Sequence, residues 1–165
     1  MKIWPLAIAA SGAAMGFWRG PADVHVLILS GDTNGNLAPC GCTKPMSGGI
    51  KRRVRAAKQL SVADRTTMLD NGNLVVGTDR QDQLKAQTMA ETLAAGGWKA
   101  INVGPNDARL GLGMLLSMNS LSDGRLISSN LEDTEVKRFA LSGPFLVLGL
   151  TSNPEQVAAP LGQRA

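Results

Sequence analysis

Tyrosine is missing from this chain, and three Phe and three Trp are its only aromatic residues. A core within 165 residues must therefore be built from Leu, Val, Ile, Ala and Met. Histidine occurs once, at His25, which excludes a His-rich metal centre. Cysteine occurs twice, as Cys40-Gly41-Cys42, too sparse for a disulfide framework. No Cys-x-x-Cys-His is present, so there is no signal for a covalent c-type haem, and no Cys-x-x-Cys, the usual dithiol oxidoreductase motif. Charged residues are few at 18%, yet apolar content of 44% is that of a globular chain, not a disordered one. The length suits one domain with its own core, and no internal repeat is visible.

What charge there is sits in one place. The net charge is +4, and Lys51, Arg52, Arg53, Arg55 and Lys58 all fall in one predicted helix. Such a cluster can meet phosphate, nucleic acid or a membrane surface. A solvated helix face is the more ordinary reading, and no specific nucleic-acid partner is indicated. At the N-terminus, Lys2 precedes an Ala-rich apolar run ending at Trp18. Residues 1–20 read as a secretory signal or signal-anchor. The run is short of the roughly 20 residues of a comfortable span. Ser11-Gly12-Ala13 and Ala14-Met15-Gly16 offer small residues for cleavage, while Trp4 and Trp18 suit the two interfaces of an uncleaved anchor. The expectation is an exported protein, periplasmic or membrane-anchored, with a domain over residues 22–152 and a tail over 153–165.

Within that domain, Val24–Leu29 reads as a buried strand. Ser30–Asn36 is a loop rich in Gly, Asn and Asp, and Ser47-Gly48-Gly49 opens the basic helix, with Ile50, Val54, Ala57 and Leu60 on one face. Thr66–Asp70 is a second strand, and Asn71-Gly72-Asn73 a turn. Asp82–Ala95 reads as a helix with Asp82 as N-cap, Leu84, Met89 and Leu93 on its apolar face, and Gly96-Gly97 at its end. Trp98–Val103 is a third strand, Arg109–Leu121 a Met-rich helix, and Arg125–Ser128 a fourth strand. Glu135–Leu141 and Pro144–Leu150 form a predicted β-pair, with Phe145, Leu146, Val147 and Leu148 buried. Strands alternate with helices of about a dozen residues, the pattern of an α/β fold with a mainly parallel sheet and flanking helices.

A carboxylate just past the C-terminal end of a buried strand is where α/β proteins place their chemistry. Asp32 occupies that position. A strand, an Asp in a Gly-containing loop, and Gly-Gly before a helix together resemble the opening of the calcineurin-like metallophosphoesterases, in particular the bacterial periplasmic 5′-nucleotidase type. The Pro39-Cys40-Gly41-Cys42 insert resembles a variant of that opening. The resemblance covers about Val24 to Leu150 and implies the first half of a layered α/β domain, with helices around paired sheets. It also implies two divalent metal ions that activate a water and hold phosphate oxygens.

The motifs keep their frames and change their content. The family's Asp-x-His reads Asp32-Thr33-Asn34. Its Asp-x-Gly-Asp, whose last Asp bridges the metals, reads Asp70-Asn71-Gly72-Asn73. Its Gly-Asn-His-Asp/Glu reads Gly104-Pro105-Asn106-Asp107, and Pro105 has no side-chain donor or acceptor. Ser128-Ser129-Asn130-Leu131 resembles a structural landmark after a core strand. The later His motifs lie beyond Ala165. Metal-ligand candidates are thus Asp32, Asn34 and Asn73, while Asp70 and Asp107 keep positions that support loops. Close dications need several anionic ligands to offset their repulsion, and Asp32 alone does not supply them. The expectation is a degenerate, non-catalytic member with no catalytic residue assigned. The alternative is a metal-dependent hydrolase with an atypical site, built on Asp32, Asp70 and Asp107 or completed by a partner.

Three further features carry expectations. Cys40 and Cys42 can close a strained, redox-active disulfide, hold a soft metal as two thiolates, or form a structural turn. A closed zinc site needs four ligands, so His25 and the two cysteines would need a partner. Gly48 and Gly49 can present N–H groups to an anion beside Arg52, or simply supply turn geometry. Finally, half of a two-sheet domain leaves a sheet face exposed, which a partner chain or self-association would cover.

Overall fold

A computed structural model describes residues 24–39, 41, 48–132 and 134–158. Four strands, β1 (Val26–Ser30), β2 (Thr66–Asp70), β3 (Ala100–Asn102) and β4 (Leu126–Ile127), form one parallel sheet in sequence order. Helix α1 (Ile50–Leu60) joins β1 to β2, and α2 (Arg80–Gly96) joins β2 to β3. Short α3 (Pro105–Ala108) and α4 (Leu112–Leu121) lie between β3 and β4. Right-handed crossovers between consecutive neighbours put every helix on the same face of the sheet. In agreement, α1 packs on α2 and α2 on α4. The α/β class and the parallel sheet follow the sequence expectation.

The core lies between sheet and helices. Ala86, Met89, Ala90 and Leu93 of α2 are fully buried, together with Trp98, Leu115, Met118 and Leu126. Small alanines on this helix let it sit close to its neighbours, and the large side chains fill the space left. Trp98 is fully enclosed, and its Nε1 donates to Ser30 Oγ at 2.9 Å. This buried indole therefore has the partner that burial demands.

The other face is open, and this corrects the expected burial of β1. Val26 and Ile28 are half-buried toward the helices, while Leu27 and Leu29 are 42% and 69% exposed. Leu27 and Leu29 are as apolar as Val26 and Ile28, but among the described residues only one side of the strand has a helical layer over it. The helix boundaries also differ. The N-cap of α2 is Asp79, whose side chain accepts from Asp82 N, and Leu84 is exposed. The predicted Arg109–Leu121 helix starts only at Leu112, after Gly111 at φ 82°. Ile50 and Ala57 of α1 are buried, whereas Leu60, expected on the same face, is 65% exposed.

An antiparallel hairpin, β5 (Phe139–Ser142) and β6 (Phe145–Leu148), follows β4. It is pinned at the N-terminal end of the sheet. Thr67 Oγ1 lies 2.9 Å from His25 Nε2 and 3.1 Å from Ser142 Oγ, and the His25 ring meets Phe145 edge-on at 5.2 Å. The inner face of β6 is Phe145 and Val147. Leu146 and Leu148, expected inside, are instead 62% and 63% exposed. A final turn, α5 (Glu155–Ala158), buries Val157. No helix among the described residues is long and apolar enough to cross a membrane, and the expected signal segment lies outside them.

Leu93→Ala should cost about 2–5 kcal/mol through a core cavity, while Leu84→Ala on the same helix should stay within about 0.5 kcal/mol. Urea denaturation of both variants checks the assignment.

Candidate functional site

The loops after β1, β2 and β3 meet at the C-terminal end of the sheet. Backbone bonds join the first two directly: Asp32 N donates to Gly72 O, Asn34 N to Asn73 O and Gly35 N to Leu74 O. The approach of the second loop to the third is closer still. A Cβ on Gly72, at φ 84°, would lie 2.4 Å from Asn102 O and 2.5 Å from Gly104 N. Only glycine fits there. Among the described residues, four non-glycine positions have positive φ, and three of them (Asp32, Asn34 and Asn73) are in this cluster. Asn and Asp tolerate that conformation better than other side chains, but it remains costly.

Asn73 is the junction. Its Oδ1 accepts from Asn106 N at 3.1 Å, and its Nδ2 donates to Asp32 Oδ1 at 2.9 Å. The backbone N–H of Asn106 fixes the amide orientation, because only the oxygen can accept it. The amino group must then face the Asp32 carboxylate. Asn73 N donates in turn to Asp107 Oδ2 at 2.7 Å. One residue thereby ties all three loops together.

Asp107 is the anchor beneath. It is buried, and its two oxygens accept from the backbone N–H groups of Asn73, Leu74 and Gly104. Burial nevertheless outweighs these bonds and lifts its pKa from 3.8 to about 6, with the nearby Asp70 adding a smaller push upward. Asp70 is paired instead. Arg53 reaches in from α1 to Asp70 Oδ2 at 3.0 Å, to Thr33 Oγ1 at 2.6 Å and to Gly31 O at 3.1 Å. The Asp70 side chain is wholly enclosed and that of Arg53 is 24% exposed. Ser30 Oγ donates to Asp70 Oδ2, and Gly72 N donates to Oδ1. Asp70 and Asp107 thus hold loops by accepting N–H groups, the supporting role expected of their positions in the motif frame.

The expected site residues are therefore only partly assembled. Asp32, Asn34 and Asn73 converge, with Asp32 and Asn34 exposed and Asn73 half-buried. Their donor set does not fit two metal ions. The Asn73 amide presents N–H groups, not a lone pair, toward Asp32, and Asp70 is occupied by a guanidinium. Among the described residues, no three His, Cys, Asp or Glu side chains group as metal ligands. Gly49 caps α1 at φ 85°, where a Cβ would lie 2.8 Å from Pro39 N, so close chain approach accounts for it. Gly48 and Arg52 are exposed. Cys40 and Cys42 lie outside the described residues. Sequence reasoning overlooked Arg53, although its spacing from Ile50 and Ala57 places it on the buried face of α1. The Ser128–Leu131 landmark is a polar stitch: Asn130 Oδ1 accepts from Thr151 N while its Nδ2 donates to Thr151 O.

No family model matches the sequence, and no curated protein matches it. Solved structures do. A 5′-nucleotidase precursor from Thermus thermophilus superposes with a TM-score of 0.62 at 21% identity, over 77% of this chain and 28% of that one. The Haemophilus influenzae NAD nucleotidase does so with a TM-score of 0.60 at 13% identity, over 80% and 27%. The chain thus spans little more than a quarter of the length of these structures. Its parallel sheet with flanking helices matches the first half of a metallophosphoesterase-like domain, so the fold is nucleotidase-like.

Two outcomes test the site. Arg53→Ala should cost roughly 3 kcal/mol by leaving the Asp70 carboxylate buried and unpaired, whereas Arg52→Ala should cost less than about 0.5 kcal/mol. Asp107, with its folded pKa raised, favours the native state most below about pH 4, and that contribution disappears as pH rises through about 6. Against an Asp107→Asn reference, wild-type stability should therefore fall between those pH values, by on the order of 3 kcal/mol. A flat difference in urea midpoints would contradict this.

Proposed function

We propose that this chain is a non-hydrolytic, nucleotidase-like domain of the cell envelope whose strand-end loops are held by side-chain hydrogen bonds where related folds hold metal. The observation that supports this most is the Asn73 carboxamide, turned so that its amino group faces Asp32. A carboxamide so placed gives the Asp32 side chain a hydrogen-bond donor where a cation would otherwise sit. It also leaves no anionic bridge for a second ion. On this reading the scaffold serves for binding, with the Cys40-Gly41-Cys42 loop as the reactive element available for a thiol, disulfide or soft-metal role.

The competing function is metal-dependent hydrolysis of nucleotides or other phosphate esters through an atypical or partner-completed site. The likeness to two nucleotidase structures keeps it in view. Assay of a nucleoside 5′-monophosphate and of a bis-aryl phosphodiester, with Mn²⁺ or Zn²⁺ supplied, separates the two. The proposal expects rates at the uncatalysed background. Turnover that is abolished by Asp32→Ala would establish the hydrolase instead.

A further inference from the structure

The charge of this chain is polarised. Its net charge is +4, and without the five cations of α1 the balance would be −1. That helix carries no acidic residue. Arg53 turns inward to Asp70. Lys51, Arg52, Arg55 and Lys58 are exposed, and none has an ion-pair partner among the described residues. At the α-helical period these four fall within about a third of the helix circumference. The helix runs toward the N-terminal end of the sheet, where apolar side chains are exposed too. Leu60 is 65% exposed, Val62 42%, and Val24, just before β1, 66%. The first two strands start together, with Val26 paired to Thr66, so these three residues belong to one end of the molecule. Asp64 and Lys99 line a polar cavity there with Thr66 and His25, so a further cation and one acid stand beside the apolar trio.

We infer that this end of the domain, with the outer face of α1, docks on an anionic lipid surface. Leu60, Val62 and Val24 enter the boundary between headgroups and acyl chains, and the four cations of α1 meet lipid phosphates. Cations on one face with apolar side chains beside them are what a bilayer surface binds. Lys51 and Lys58 are about 10 Å apart along the helix. That is about one Debye length, so a helix tilted on the surface keeps all four cations within its field. A nucleic acid offers the same phosphates, but it gives Leu60 and Val62 nothing to enter, and neither they nor the α1 cations include an aromatic ring to stack on a base. Chain direction agrees with a bilayer. The Ala-rich apolar run that ends at Trp18 lies only a few residues upstream of Val24, so the fold begins at the end proposed to face the lipid. The inference goes beyond the proposed function and holds whether or not the Asp32 cluster hydrolyses anything.

Co-sedimentation of the full chain with vesicles tests this, comparing phosphatidylcholine alone with phosphatidylcholine containing phosphatidylglycerol. The apolar run of residues 1–18 can contribute to both, so the difference between the two is the readout. Each cation near an anionic leaflet strengthens binding roughly five-fold. Arg55→Gln with Lys58→Gln should therefore lower the preference for the anionic vesicles roughly 25-fold, with an unchanged far-UV spectrum. Leu60→Ser should weaken binding to the anionic vesicles and leave any binding to duplex DNA unchanged. Should a variant misfold, hydrogen exchange on the wild type decides. Amides of residues 58–62 should slow on anionic vesicles while those of α4 do not. Equal binding to both vesicles, a preference kept in full by the folded double variant, an indifferent Leu60→Ser, protection gained elsewhere, or tighter binding to duplex DNA than to the anionic vesicles would overturn the inference.

Discussion

The hydrogen bond from the Asn73 amide to the Asp32 carboxylate is the constraint on which the candidate site depends. Three loops end at it. The first contributes Asp32 in a left-handed conformation, the second contributes Asn73, and the third receives Asn73 through Asn106 and holds it through Asp107. Take the amide away and the exposed carboxylate loses its partner while the Asn106 N–H loses its acceptor. Beneath this layer, Arg53 and Asp70 form a second tie between α1 and the end of β2. The two ties share no atoms, but both act on the loop Asp70–Asn73. That loop cannot move without breaking one of them, and Gly72 leaves no room for it to shift toward β3. The positive-φ residues persist because the bonds around them over-determine the backbone.

Strand order has consequences far from this cluster. Consecutive parallel neighbours joined by right-handed crossovers place every helix on one face. Among the described residues, the hairpin after β4 is what meets the other face, through Thr67 and His25. Two apolar surfaces remain in water as a result: the far side of β1 and the outer side of β5 and β6. Both arise from one topological cause and meet at the groove between Leu29 and Leu148.

Much of the architecture was legible in residue pattern. The apolar run at Val24–Leu29 and the strand-like Thr66–Asp70, separated by an amphipathic helix, announce a parallel pair, and the loop chemistry at Asp32 and Gly72 marks the strand ends. What was not legible depended on the third dimension. Leu146 and Leu148 read as buried because a run of Phe-Leu-Val-Leu is equally apolar on both sides, and only the missing layer decides which side faces water. Asp82 looked like a cap, yet Asp79 stands at the position whose side chain reaches the first free N–H groups. Gly111 caps the start of the expected Arg109–Leu121 helix and moves it to Leu112, a shift that apolar periodicity across it concealed. Within the site, the spacing of the Asp, Gly and Asn residues was legible as a frame. The orientation of the Asn73 amide was not, because it is set by one backbone N–H more than thirty positions away.

The central claim is that these loops are held by their own donors and acceptors, without a cation. The most direct measurement is equilibrium dialysis of the full chain against Mn²⁺, followed by elemental analysis per chain. Mn²⁺ is chosen because thiolates bind it poorly, so Cys40 and Cys42 do not contribute. The account predicts no stoichiometric Mn²⁺, and no change in uptake on Asp32→Ala. Two ions per chain, lost in that variant, would contradict it.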